Sequence, residues 1–347
     1  KTAYEISTRD WSSDVCSSDL NIFLRNTLHL NHPIKKVLPN PFFGLNTHPL
    51  LSNTIPYFRA AARFPDIEIG NWQFKWDHAC KVISKFDERL KMTNKEEIVK
   101  NWLPRYTGRK LEEFGPYILL TNFTNYVDLF AIWNKVDVIG KDKPMQSATA
   151  NGITIINFGM GSPTAATVMD LLTAIEPKAV LFLGKCGGLK KRNKIGDLIL
   201  PIAAIRGEGT SNDYFPPEVP ALPAFALQKA ISTTIRDHKL DYWTGTVYTT
   251  NRRVWEHDLE FKAYLEKIRA YAIDMETATI FSVGFYNKIP TGAILMVSDQ
   301  PMIPEGVKTE ESDKKVTANF VETHVKLGIE SLKQLIDNGL TVRHLRF

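Results

Sequence analysis

Two carboxylates stand where apolar runs give way to polar turns. Asp299 follows the run Ala293–Val297 and Ser298. An Asp immediately beyond an apolar strand is partly desolvated, which raises its pKa and suits it to give up a proton to a ligand. A turn or cap residue fits the same position. Glu276 lies in Ala272-Ile273-Asp274-Met275-Glu276-Thr277-Ala278, where a strand passes into a helix. A buried carboxylate there needs hydrogen-bond donors, and a sugar diol supplies two. A helix-start carboxylate complementing the macrodipole is the equal alternative.

Two glycine-rich stretches follow other apolar runs. Gly159-Met160-Gly161-Ser162-Pro163 follows Ile153–Phe158. Glycines there let the backbone approach a ligand, and the helix start that follows favours an anion or a hydroxyl-rich group. A plain tight turn explains the pattern as well. Pro163 and Thr164 stand where a dinucleotide fingerprint needs its third glycine, which disfavours a dehydrogenase. Gly184-Lys185-Cys186-Gly187-Gly188-Leu189 follows Ala179–Leu183. Lys185 is a candidate phosphate contact or a solvent-facing turn residue. Cys186 has no evident His partner and reads as a small residue lining a pocket.

These residues need a frame that gathers strand ends. Strands are expected at Tyr117–Leu120, Ile153–Phe158, Ala179–Leu183, Ile199–Ile205, Gly245–Tyr248 and Ala293–Val297. Helices are expected at Thr164–Ile175, Pro223–His238, Leu259–Arg269, Met275–Tyr286 and Glu311–Asp337. The last carries Val321, Val325, Leu332, Leu335 and Ile336 on one stripe. Asn94 is expected to cap a further helix that Pro104 stops. Uniformly apolar strands predict a sheet buried on both faces, and the alternation predicts one α/β domain with helices on both sides. Ligands of such sheets bind beyond the carboxyl ends of the strands.

The chain has 347 residues, 44% hydrophobic and 23% charged, with a formal net charge of +5. No dense basic tract interleaved with aromatics argues for nucleic acid. No apolar run reaches the roughly 18 to 20 residues of a membrane span. Three scattered cysteines make no disulfide framework, so a reduced, cytoplasmic setting is expected. The histidines lack metal-ligand spacing, and neither a metal nor a cofactor is expected. Residues 1–91 show no sustained period. Their stretch Asp10–Leu20 resembles one reading frame of a DNA-sequencing adapter, so an upstream, unstructured segment is expected there, with the catalytic domain at 92–347.

In chain order, FGMGSP, LGKCGGL, IGDLILP, DMETAT and VSDQP resemble the nucleoside phosphorylase and nucleosidase superfamily. GKCGGL, RGEGTS, TGTVYTTNRRVWE and AIDMETATI are similar to its AMP nucleosidase branch, in the short form. The resemblance spans residues 92–347 and implies a mixed central sheet, an AMP substrate and a homo-oligomer, a hexamer in relatives. It implies that Met275 and Glu276 hold the ribose, that Asp299 protonates or hydrogen-bonds N7 of the purine, and that Cys186 and Gly187 border the base. Gly161 and Ser298 belong to the same motifs. Candidate anchors for a 5′-phosphate are Lys185, Arg206, Arg252 and Arg253, with Lys185 and Arg253 preferred. Arg253 and Trp255 share the loop that reaches base and sugar in relatives.

The sequence departs from the phosphorylases of this group in two places. The loop after the first strand, Thr121–Tyr126, has no arginine, and Phe182 stands where they carry another. Water is therefore the expected nucleophile; Asp128 is a weak candidate base, and the water-activating group stays open. The alternatives are a purine nucleoside phosphorylase using inorganic phosphate and a non-catalytic nucleotide-binding protein.

Overall fold

The computed structural model describes residues 94–337. The expectation for residues 1–91 lies outside the described residues. The first helix, α1 (Lys95–Thr107), is capped by Asn94, whose side chain accepts from the Glu96 N–H at 3.2 Å. Pro104 does not stop it. The helix runs one turn further because Gly108 takes the left-handed conformation (φ 71°) and closes its N–H onto the Pro104 carbonyl at 2.7 Å.

Five of the expected strands are found with extended ends: β1 (Tyr117–Thr121), β4 (Ala179–Gly188), β5 (Leu198–Gly207), β6 (Tyr242–Thr250) and β8 (Thr291–Asp299). A sixth, β3 (Ile153–Asn157), ends one residue early. Two short strands complete the set, β2 (Ser147–Ala150) and β7 (Ala272–Asp274). The glycine stretch after Leu183 is not a loop, as its composition implied, but the end of β4. Pairing with β7 at Gly187 and Gly188, and with β8 as far as Gly187, holds it extended.

The strands form one mixed sheet in the order β2-β3-β1-β4-β7-β6-β5-β8, and β4 also pairs with β8. The strands β4, β7, β6, β5 and β8 thus close into a ring, with β1, β3 and β2 added outside β4. β1, β3, β4 and β8 run parallel, so their carboxyl ends emerge together.

Helices cover both faces, as the apolar strands predicted. Ile118, Leu120, Val180, Phe182, Leu295 and Val297 face α1, α3 (Ser162–Leu171) and α6 (Thr277–Tyr286). The alternate residues Leu119, Leu181, Leu183, Ile294 and Met296 face α2 (Thr124–Asn134), α4 (Phe225–Asp237) and α7 (Glu310–Asp337). This period-two division is what strands buried on both sides produce. Each fully buried aliphatic or aromatic side chain there contributes roughly 1.5–3 kcal/mol. On α7 the expected stripe is buried at Val321, Val325, Leu332 and Leu335, with Ile336 partly so. Helix α2 fills the stretch read as a loop, because Tyr126, Val127, Phe130 and Ala131 give it one buried face. A smaller cluster, with Trp255, Tyr248 and Leu265, packs β6 under α5 (Leu259–Lys267).

Candidate active site

Six strand ends border one cleft. β1 contributes Asn122 and Phe123, β3 leads to Met160, and β4 supplies Lys185, Cys186 and Gly187. β6 leads to Arg252, Arg253 and Trp255, β7 to Met275 and Glu276, and β8 to Ser298 and Asp299. The two carboxylates singled out in the sequence therefore share one cleft.

Glu276 is 4% exposed. Its Oε1 accepts from the Gly161 N–H at 2.7 Å. Gly161 can aim that N–H because its φ is +93°, a conformation that costs other residues strain. The neighbouring Ser162 hydroxyl donates to the Met275 carbonyl at 2.6 Å, so the β3–α3 turn grips both residues. Gly161 itself is not on the cleft surface; its N–H is spent on Glu276 rather than on a ligand. Burial and the adjacent Asp274 push the Glu276 carboxyl up to about 7, against the lowering effect of the Gly161 N–H and the Asn122 side chain.

Asp274, not Glu276, serves the helix start. Its Oδ2 accepts from the Thr277 N–H at 2.7 Å and the Thr277 hydroxyl at 2.5 Å, and its Oδ1 from the Thr249 hydroxyl at 2.7 Å. Helix α6 consequently begins at Thr277 rather than at Met275. Glu276 makes no cap hydrogen bond. Its carboxylate is left to the cleft and to Gly161.

Asp299 is partly exposed at the end of β8. Burial raises its pKa, opposed by the Ser298 hydroxyl and by the charges of Lys308 and Arg253. Ser298 Oγ lies 2.7 Å from Asp299 Oδ1 and 3.3 Å from the Cys186 carbonyl. Cys186 is buried, and burial pushes its thiol well up, so it lines the cleft as a neutral group. Beside it, a Cβ on Gly187 would meet Ile273 and Pro301 at 3.1 Å, so glycine lets those elements close.

The cations divide. Lys185 and Arg253 line the cleft. The Lys185 ammonium reaches Asp313 Oδ1 at 3.1 Å and lies 4.7 Å from the Phe123 ring centre. Arg253 is exposed and lies 3.6 Å from Glu256. Arg252 also borders the cleft but is paired with Asp258 at 2.7 Å. Arg206 is a correction: it is not among the cleft residues, and its guanidinium is spent on its own connection. It donates to the Ser211 hydroxyl, the Asn212 side chain and the carbonyls of Phe215, Pro216 and Val219. Asp128 lies on α2 away from the cleft lining.

The profile of the phosphorylase superfamily matches residues 142–337, which carry all of these elements except β1 and its loop. The chain belongs to the phosphorylase superfamily. The crystal structure of AMP nucleosidase from Bacteroides thetaiotaomicron is 56% identical, with a TM-score of 0.64, covering 71% of this chain and 99% of that one. The AMP nucleosidase of Escherichia coli strain K12 is 29% identical over 283 residues, 68% of this chain. The match spans only 58% of that relative's length. Uridine phosphorylase from Treponema pallidum is 25% identical over 246 residues, 67% of this chain and 93% of its own.

Within this phosphorylase-superfamily site, two residues escaped the sequence reading. Asn122 has a buried Oδ1 without a hydrogen-bond partner. Its place just after the first apolar strand was the available signal. Lys308 lines the cleft from the segment before α7, and no motif marks it. Phe182 is fully buried against Phe158, ring centres 5.8 Å apart, so that position is core and carries no charge into the cleft. Among the described residues, no group of three or more His, Cys, Asp or Glu could hold a metal ion. No helix among them is long and apolar enough to cross a membrane.

Proposed function

We propose that the protein hydrolyses the N-glycosidic bond of AMP, releasing adenine and ribose 5-phosphate. One observation carries the reading: a partly desolvated acid, Asp299, and a buried carboxylate, Glu276, border the same cleft. Similarity to the AMP nucleosidases of Bacteroides thetaiotaomicron and Escherichia coli supports AMP as the substrate.

Breaking the C1′–N9 bond builds positive charge on the sugar and negative charge on the leaving purine. Asp299, protonated, gives its proton to N7 and so neutralises the leaving group. A positioned acid of this kind contributes roughly 10²–10⁴ in rate. Glu276, held by Gly161, accepts the ribose hydroxyls and sets negative charge near the developing cation. Met275 and Cys186 flank the sugar and base, with Trp255 closing the far side. Lys185 and Arg253 anchor the 5′-phosphate, whose remote binding holds the sugar in reactive geometry. The Asn122 side chain hydrogen-bonds Glu276 at the cleft wall, beside the space assigned to the attacking water. Asn122 cannot act as a base; it orients the nucleophile, whose proton passes to solvent as the C1′–O bond forms, and solvent returns a proton to Asp299 for the next turnover. We further propose a homo-oligomeric enzyme, as the resemblance implied.

The test is incubation with AMP, adenosine and IMP, without and with inorganic phosphate, with chromatography of the free base and sugar product. Adenine and ribose 5-phosphate from AMP in phosphate-free buffer is the expected result. Release that requires phosphate would make the protein a phosphorylase, and binding without release would make it a nucleotide sensor.

A further inference from the structure

Lys185 and Lys308 converge on a single oxygen. Their ammonium groups lie 3.1 Å and 3.0 Å from Asp313 Oδ1, in the first turn of α7. Both lysines line the cleft, and Asp313 does not. The two sides of the contact differ in burial. The Lys185 side chain is 5% exposed, whereas that of Asp313 is 43% exposed.

A buried cation cannot leave without losing its compensation, but a half-exposed carboxylate can turn to water at little cost. One carboxylate also cancels only half of two ammonium charges. The residual charge favours a ligand carrying two negative charges on one centre. Lys308 lies within 3.4 Å of Ser298 Oγ, and Ser298 in turn bonds Asp299, so this cationic pair adjoins the proposed acid. Lys185 holds a second contact, to the Thr317 hydroxyl at 3.3 Å, which keeps its ammonium in place if Asp313 departs.

We propose that Lys185 and Lys308 form a binding site for a phosphate dianion, and that the Asp313 carboxylate occupies it until a phosphate-bearing ligand displaces it. The ligand is the 5′-phosphate of a nucleotide, because the site shares its cleft with Asp299 and Glu276, the groups assigned to the base and the sugar. The inference rests on the nucleotide reading of the cleft and adds to it Lys308 as an anchor and Asp313 as an internal competitor. Asp313 thereby sets specificity: ligands lacking a phosphate leave the lysines to the carboxylate.

The test compares wild type with Asp313→Asn, Asp313→Ala and Lys308→Met. Inorganic phosphate binding is measured by calorimetry, and AMP and adenosine binding by the same method. Thermal melts identify any variant that does not fold, and either Asp313 variant serves alone. Removing the competitor raises the fraction of open sites, so phosphate and AMP bind about tenfold more tightly and the ratio of AMP to adenosine affinity rises equally. Lys308→Met abolishes phosphate binding. Unchanged or weaker phosphate binding in a folded Asp313 variant overturns the proposal. Tighter phosphate binding in a protein that releases no adenine from AMP keeps the anion site and removes the nucleosidase reading. If phosphate accelerates base release instead of competing with AMP, the dianion is the co-substrate and the 5′-phosphate assignment falls.

Discussion

The Gly161 backbone N–H donates to Glu276 Oε1 at 2.7 Å across 115 positions of sequence. This bond joins the turn after β3 to the start of α6 and fixes one carboxylate of the cleft. It also separates the duties of two adjacent acids: Asp274 secures the helix, and Glu276 is left to face the cleft.

Gly161→Ala isolates that relationship. The added Cβ finds space, its nearest neighbour being Pro163 Cδ at 3.9 Å. The backbone conformation, φ 93° and ψ 160°, is the obstacle, essentially confined to glycine, and costs an alanine roughly 1–3 kcal/mol. Either the strain remains or the turn relaxes and withdraws the N–H from Glu276. The expected outcome is a melting temperature lower by several degrees and a reduced kcat/KM for AMP. A variant matching wild type in melting and kinetics would remove the positioning role.

Asp299→Asn keeps the shape of the proposed acid and removes its transferable proton. Turnover of AMP falls by roughly 10²–10⁴, while AMP binding measured by calorimetry is largely kept. Because the acid acts when protonated, wild-type kcat falls as pH rises through the pKa of Asp299 in the complex, and the variant lacks that limb. Wild-type turnover in the variant would show that another group protonates the purine.

Glu276 makes the unliganded fold sensitive to pH. Its carboxyl titrates near 7 in the fold against 4.5 for the free group, so the folded state holds the proton more tightly. The stabilising contribution is complete below about pH 4.5 and is lost as pH rises to about 7. Asp274, also raised by burial, acts in the same sense. Melting of wild type minus that of Glu276→Gln, compared at about pH 5 and about pH 8, therefore shrinks toward the alkaline end. A difference that is flat or grows with pH contradicts the assigned environment.

The arginines separate by function. Arg253 is exposed at the cleft with one loose partner, so Arg253→Ala raises KM for AMP more than for adenosine and leaves the melting temperature near wild type. Arg206 supplies hydrogen bonds to five groups within its own connection, so Arg206→Ala lowers the melting temperature by several degrees without favouring either substrate. Equal shifts in KM for the two substrates in Arg253→Ala would dismiss it as an anchor.

These contrasts mark how far the sequence reaches. The strands were legible because burial on both faces leaves uninterrupted apolar runs, as in Ala293–Val297. The expectation that strand ends carry the chemistry followed from the same architecture, and it brought Glu276, Asp299 and Cys186 to one cleft. Arg206 was misplaced because the sequence records a charge and not the five acceptors that absorb it. Lys308 and Asp313 were missed because their meaning lies in a meeting with Lys185 over more than 120 positions. Helix α2 was missed because its buried face is short and polar residues open it.

The proposed water nucleophile rests on what surrounds Asn122. Phe182, where related phosphorylases place a cation, is packed into the core, and the loop after β1 offers the Asn122 carboxamide instead of a charge. Asn122 brings no positive charge to the cleft, and its amide oxygen would repel a phosphate oxygen. Inorganic phosphate is therefore expected to compete with AMP at the lysine pair without entering the reaction. Asn122→Ala removes a polar group of the cleft wall and one partner of Glu276, so kcat falls by roughly tenfold or more while KM for AMP changes less. Solvent labelling decides the chemistry: turnover in oxygen-18 water places the label on C1 of the ribose 5-phosphate. Formation of a ribose 1-phosphate ester, with label absent from the sugar, would assign the attack to phosphate and Asn122 to packing.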